Sequence, residues 1–288
     1  MRELIVAVVG PTAAGKSDFA VDFALENNGE VINVDSMQIY RGMDIGTAKL
    51  SVAERKGIPH HLIDILDVTE PATVAEFQNW ARAAIADCQE RDVVPVLVGG
   101  SALYMRAVLD DFEFPGTDEE LRATLEAQLA EIGSEEMHAR LAELDPAAAL
   151  AILPGNGRRI VRALEVIELT GKPFSASLPK YESIYPNVHW VGLEIDRESL
   201  DERIAARVEK MWEQGFVNEV RSLKEHGLET GRTASRALGY QQILDFLNDR
   251  CTEDEAKEAT KVGTRQFARR QWQWFGKDPR IQWQRRIK

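Results

Sequence analysis

An apolar run at residues 3–9 (ELIVAVV) passes directly into Gly10-Pro-Thr-Ala-Ala-Gly15-Lys16-Ser17, and a helical pattern follows, with Phe19/Phe23 and Ala20/Ala24 at i,i+4 spacing. The octapeptide matches G-x-x-x-x-G-K-[ST] with a strand before it and a helix after it, the context in which this loop cradles phosphate groups. No other feature constrains the fold as much, because a buried strand, a glycine-rich turn and a helix together open an α/β sheet. The glycines let the backbone curl so that successive N–H groups converge, and the helix N-terminus adds partial positive charge. Lys16 supplies a compact cation and the Ser17 hydroxyl is placed to hold Mg²⁺. Gly10, Pro11, Thr12, Ala13, Ala14, Gly15, Lys16 and Ser17 are therefore the expected phosphate-binding residues. The motif alone does not say which polyphosphate binds, or whether it is a donor or a leaving group.

The elements that follow keep the alternation. Strands are predicted at 31–34, at 61–66 (HLIDIL) and at 93–98 (VVPVLV), the last despite Pro95. A helix at 73–91 opens with the capping box Thr73-Val-Ala-Glu76. Such a pattern implies right-handed crossovers and a parallel sheet covered on both faces. Between 115 and 185 the strand signals vanish, and four helices are predicted at 121–132, 134–144, 146–153 and 158–170. Strand character returns at 188–195, followed by helices at 200–214, 217–226, 240–248 and 252–275. The expected class is α/β: a P-loop parallel sheet with flanking helices (1–114 plus 186–288), a helical insertion domain (115–185) and a helical C-terminal region.

Composition enters through charge. The 288 residues carry 35 Lys+Arg against 47 Asp+Glu, a net −12 that argues, as an average, against a nucleic-acid partner. Residues 261–288, however, hold nine Lys/Arg and one acid, Asp278, for a net +8, while the remainder carries −20. Charge asymmetry of this kind marks a localised polyanion site. The longest apolar run, residues 4–9, is too short to span a bilayer and is not built as a secretory signal, so a cytoplasmic protein without a membrane partner is expected. Cys88 and Cys251 lack metal or redox spacing and read as free thiols. His60-His61, with no further ligands nearby in sequence, reads as structural.

Further candidates lie after the strands, where α/β sheets bind ligands. Asp35, in Asp35-Ser36-Met37-Gln38, could coordinate Mg²⁺, act as a general base or cap a helix; Ser36 and Gln38 suit a base edge. Lys49 puts a second cation close by, and Gly99-Gly100-Ser101 allows close backbone approach. No acidic residue ends the 93–98 strand. Arg203 and Arg207 share one helix face and could form surface pairs with Glu202 and Glu209. On the last helix Lys261, Arg265 and Arg269 form a basic stripe flanked by Arg270 and Gln271. Phe267, Trp272, Trp274 and Phe275 are either stacking platforms or core, with core favoured for Phe267 and Trp274.

Taken in order, GPTAAGKS (10–17), DSMQIY (35–40), DIGTAK (44–49), PHHLID (59–64), VGGSALY (98–104), RALEV (162–166), RALGYQQ (236–242) and GTRQFARRQWQWF (263–275) resemble the tRNA dimethylallyltransferases over essentially the whole chain. Leu50, Ser101-Ala102 and Gly263 depart from the common pattern without removing a chemical group. The resemblance implies transfer of the allyl group of dimethylallyl diphosphate to N6 of the adenosine 3′ of the anticodon, at position 37, with Mg²⁺. It implies Asp35 as the base, Thr12 on the bridging oxygen, and Lys16 and Arg207 on the diphosphate. It further implies RNA contacts at Asp35, Ser36, Met37, Gln38, Ser101, Arg122, Arg158, Arg159, Ile160, Val161, Arg162, Arg236, Gly239, Tyr240, Arg265, Arg269, Arg270 and Gln271. The partner would be a tRNA anticodon stem-loop and the enzyme a monomer. A small-molecule kinase or a prenyltransferase acting on free adenine nucleotides would share the loop without needing the basic helix. A non-catalytic RNA-binding module would need the basic helix without Asp35.

Overall fold

The structure, a computed structural model, describes residues 3–112, 114–174 and 181–285. Its larger compact unit comprises the chain up to Asp110 and from Ser183 onward; the smaller is Asp111–Glu182. Sequence patterning puts this boundary at 115 and 185.

In the larger unit six strands form one parallel sheet, β1 (Ile5–Val9), β2 (Gly29–Asn33), β3 (His60–His61), β4 (Val94–Val98), β5 (Val188–Glu194) and β6 (Gln282–Arg285), in the order β3-β2-β4-β1-β5-β6. The central β1 is apolar throughout because it is covered on both sides. Ile5, Ala7 and Val9 face one cluster, Val6 and Val8 the other, following the two-residue period of a strand. The Val6/Val8 face is closed by Ala20 and Ala24 of α1 (Lys16–Glu26), with Phe19 and Phe23 packed against it. The opposite face takes Phe77, Ala81 and Ile85 of α2 (Val74–Glu90) and Met105, Val108 and Leu109 of α3 (Ala102–Leu109). The Thr73/Glu76 capping box starts α2 as the sequence predicts. Pro95 fits a central strand because pairing of β4 with β1 begins only at Val96.

One expectation fails here, and a second needs an addition. Residues 61–66 are not a strand beyond His61: Leu62 and Asp64 adopt φ of 60° and 58°, and left-handed residues cannot continue an extended ladder. Only a single bridge, Tyr40 to Leu66, survives of the alternating pattern. The C-terminal region is helical as expected through α8 (Arg197–Glu213), α9 (Phe216–Glu225), α10 (Tyr240–Leu247) and α11 (Glu253–Phe275), and then adds an unexpected strand, β6, to the sheet edge. Arg280 anchors that strand, donating to the fully buried Asp110 at 2.6 and 3.1 Å and lying 4.4 Å from the centroid of the Trp190 ring.

The smaller unit contains the four expected helices, α4 (Glu119–Ile132), α5 (Ser134–Leu144), α6 (Pro146–Ala151) and α7 (Gly157–Thr170). They close on Leu125, Met137, Leu141, Ile160 and Leu164. Ile160 and Val161, implied as RNA contacts, are buried in this core, since they lie on the inner face of α7. Beneath them the carboxylate of Glu165, fully buried, accepts from Arg122 at 2.5 Å and Arg162 at 2.7 Å. Arg162 also donates to the carbonyls of Pro115 and Gly116. Burial works against the Glu165 charge, but these guanidinium bonds outweigh it and hold the carboxyl below its usual range. Arg122 and Arg162 are thus structural cations first, whereas Arg158 and Arg159 stay exposed at the first turn of α7.

Candidate active site

The phosphate loop is shaped by its flanking strands. Gly10 has φ 138°, and a Cβ there would come within 2.7 Å of the Leu193 carbonyl oxygen on β5, so the turn out of β1 admits only glycine. Ala13 holds a left-handed φ of 63°, a strain of roughly 1–2 kcal/mol for a residue with a Cβ. Such strain persists where the surroundings over-determine the backbone, as they do at ligand clamps. Gly10, Pro11 and Ala14 form the buried back of the loop, while Thr12, Ala13, Gly15, Lys16 and Ser17 line a cleft.

Asp35, Gln38, Gly99, Gly100, Arg207 and Gln271 complete that cleft, together with Asn33, Leu50, Val98 and Phe267. Lys16 rests with its Nζ donating to the Pro11 carbonyl at 2.7 Å. Burial, reinforced by the nearby Arg207 and opposed by Asp35, lowers its pKa to about 7. Asp35 is shifted upward by burial, against the pull of the Met37 N–H, which donates to Oδ1 at 2.9 Å, and of Lys16. Arg207 is likewise shifted downward by burial. Two cations and a carboxylate thus share one desolvated space, where charges act strongly. The surface-pair alternative for Arg207 does not hold: Glu209 instead accepts from Lys257 at 3.1 Å and Lys261 at 2.6 Å, and Arg203 is exposed outside the cleft.

Sequence reasoning missed Asn33. This 2% exposed side chain accepts from the Asp35 N–H at 2.9 Å and donates to the carbonyls of Asp35 and Leu62, each at 3.0 Å. It fixes the turn that carries Asp35 out of β2. The signal was an amide at the end of β2, directly after Val31 and Ile32. Gln271 was placed on the basic surface but is buried, its Oε1 accepting from the Thr12 N–H and its Nε2 donating to the Gly100 carbonyl.

Other expected residues are placed elsewhere or differently. Lys49 is no free cation: its Nζ, almost fully buried, reaches Asp44 and Asp64 at 2.6 Å each. Gly239 and Tyr240 are buried, and the Tyr240 hydroxyl donates to Glu219 at 2.6 Å; Arg236 is exposed. Ser36, Met37 and Ser101 are partly buried near the cleft but outside its lining. On α11, Lys261 is neutralised by Glu209 and Glu258, and the Arg265 Nε is buried without a partner, leaving Arg269 and Arg270 exposed. Phe267 and Trp274, for which core was favoured, are 38% and 52% exposed, because α11 packs through Ala256, Thr260, Ala268, Gln271 and Phe275. Arg286 and Lys288 of the basic tail lie outside the described residues.

The His60-His61 pair reads as structural in place. His61 Nε2 is 2.6 Å from Glu30, whose carboxylate also takes two Arg91 N–H groups at 2.7 Å. Cys88, a free thiol 3.9 Å from His61, is pushed up to about 12 by burial and by Glu30. With Glu30 already held by Arg91, the cluster is an ion-pair knot.

Among the described residues no helix is long and apolar enough to cross a membrane. The model of the IPP transferase family matches residues 38–278. The chain is 62% identical over 285 residues to the tRNA dimethylallyltransferase of Kineococcus radiotolerans, covering 97% of this chain and 90% of that one. It is 61% identical to that of Thermobifida fusca, covering 97% and 89%. Among solved structures, the full-length tRNA isopentenylpyrophosphate transferase of Bacillus halodurans superposes with a TM-score of 0.72 at 41% identity, over 98% of this chain and 90% of that one. A eukaryotic dimethylallyltransferase acting on tRNA superposes with a TM-score of 0.84 at 27% identity, over 98% and 74%. The phosphate loop, the carboxylate facing it and the whole length of the chain lead to one placement: it belongs to the IPP transferase family.

Proposed function

We infer that this chain is a tRNA dimethylallyltransferase, moving the dimethylallyl group of dimethylallyl diphosphate to N6 of adenosine-37 beside the anticodon. The observation that carries this reading is the meeting of Lys16, Arg207 and Asp35 in one cleft on the phosphate loop. In the transfer the allylic C1–O bond breaks, the N6–C1 bond forms, the N6 proton passes to the Asp35 carboxylate and diphosphate departs. Negative charge grows on the leaving oxygens, where Lys16, Arg207, the loop N–H groups and the Thr12 hydroxyl would stabilise it. The aromatic amine is a weak nucleophile, so a carboxylate with a raised pKa suits the proton's destination.

The donor set of the cleft fits Mg²⁺: Ser17 and Asp35 offer hard oxygen, and no lining side chain offers sulfur or imidazole. Ser17 would hold the ion together with diphosphate oxygens, and the ion would neutralise part of the leaving group's charge. The target base must leave its stack to reach the cleft, and Gln38, with its Nε2 donating to the Thr47 carbonyl, stands beside Asp35 to receive it. Exposed Arg269 and Arg270 on α11, and Arg158 and Arg159 at the positive end of α7, are the cations best disposed toward RNA phosphates. The tRNA substrate supports work in the cytoplasm.

The test is transfer from labelled dimethylallyl diphosphate to unmodified tRNA, with free AMP and ATP as competing acceptors. Label on tRNA alone is expected. Label on AMP and none on tRNA would overturn the reading in favour of an enzyme of free nucleotides, and no transfer with intact tRNA binding would favour a binding module.

A further inference from the structure

Gln271 has no chemical task in the transfer just described, yet it is among the most constrained side chains around the cleft. It lies on α11, 5% exposed, and its carboxamide spans two loops that the chain builds far apart. Oε1 accepts from the Thr12 N–H at 2.8 Å, and Nε2 donates to the Gly100 carbonyl at 2.9 Å. The opposite wall is shaped to receive it, since a Cβ on Gly100 would fall 2.0 Å from Nε2. Both ends of the amide are engaged in the one orientation that matches a donor with an acceptor at each loop.

Doubly bonded and 5% exposed, the amide braces two loops, whereas its neighbours Arg269 and Arg270 are exposed. The Thr12 N–H, being committed to Gln271, is fixed in space before any diphosphate arrives, and with it the backbone that aims the Thr12 hydroxyl. We propose that Gln271 is a positioning residue for prenyl transfer: by tying the phosphate loop to the Gly99-Gly100 loop it holds the Thr12 hydroxyl on the bridging oxygen of the departing diphosphate. This rests on the functional reading above. Misplacing a catalytic group by about 1 Å costs on the order of 100-fold in rate, which sets the scale.

The experiment uses the full chain, dimethylallyl diphosphate and an unmodified tRNA transcript. Gln271→Met preserves length and apolar bulk while removing both bonds; Gly100→Ala displaces the same amide from the other side. In both, kcat is expected to fall by about 10- to 100-fold with the KM for tRNA held within about twofold. Thr12→Val, which keeps the backbone N–H and removes the hydroxyl, closes a double-mutant cycle: in that background Gln271→Met should cost less than about threefold more. The proposal is overturned if Gln271→Met keeps kcat within about twofold, if its full penalty persists beside Thr12→Val, or if the tRNA KM rises in step with the loss of kcat. Absence of transfer by the parent protein overturns instead the functional reading on which the proposal stands.

Discussion

Lys16 makes the diphosphate site a proton-linked one. In the free protein burial and Arg207 bring its pKa to about 7, whereas a bound diphosphate would return it toward the ordinary 10.5. Binding should therefore draw a proton onto Lys16 wherever the free lysine has lost it. With a free pKa near 7, uptake is about 0.1 proton at pH 6, about 0.5 at pH 7 and about 0.9 at pH 8. Above pH 7 the apparent Kd should weaken by about tenfold, or about 1.4 kcal/mol, for each further pH unit. Titration calorimetry at pH 6, 7 and 8, in buffers of different ionisation enthalpy and with inorganic diphosphate as the ligand, measures the net proton change. The difference between the parent and Lys16→Met cancels the ligand's own titration and isolates the lysine, and Lys16→Met should bind more weakly throughout. The sign for the unliganded fold follows from the same lowered pKa: the folded lysine sheds its proton before the unfolded one, so the burden of burying it is full below pH 7 and is relieved as pH rises toward 10.5. A net proton change at pH 8 that is equal in the parent and in Lys16→Met would refute this reasoning.

Asp35→Asn should lower single-turnover transfer by about 10²- to 10⁴-fold, the range for loss of a general base, with tRNA affinity from filter binding little changed. In the parent enzyme the acid limb of the rate profile should lie above the ordinary aspartate value of 3.8, because burial raises Asp35. Converting exposed Arg269 and Arg270 to Glu should weaken tRNA binding and reduce the slope of log K against log salt by about 1.5 to 2; an unchanged slope would exclude them as phosphate contacts. In the smaller unit, Glu165→Gln leaves Arg122 and Arg162 without their anion. Because both guanidiniums reach solvent, the loss in urea unfolding should be near the low end for a broken buried pair, about 3 kcal/mol.

The phosphate loop was legible because its chemistry is contiguous: eight residues bring their own glycines, cation and hydroxyl, and the flanking strand and helix are written beside them. The helices of the smaller unit were legible through their punctuation, such as Gly133 and Asp145. The reading of 61–66 failed because alternation was present but Leu62 and Asp64 are left-handed, a backbone choice set by what the loop must reach and not by side-chain polarity. β6 was missed because a four-residue edge strand, QWQR, has no apolar alternation to betray it. On α11 the aromatics drew attention to the wrong face; Ala256, Thr260 and Ala268 make the close packing, while Trp274 is exposed and Phe267 lines the cleft. Asn33 was missed and Gln271 was given to the basic surface for one shared reason, that a carboxamide acquires its meaning only from the partners the fold brings to it.

The bond from Thr12 to Gln271 also has a temporal side. Its two residues are 259 positions apart, so the phosphate loop is braced by a side chain made long after it. At about 5–20 residues per second, a ribosome needs on the order of 13 to 52 s to go from one to the other. Throughout that interval the nascent chain carries a complete phosphate motif without its brace, and β6 has yet to close the sheet edge. Competence thus waits for α11 and β6, long after the phosphate loop itself has been made.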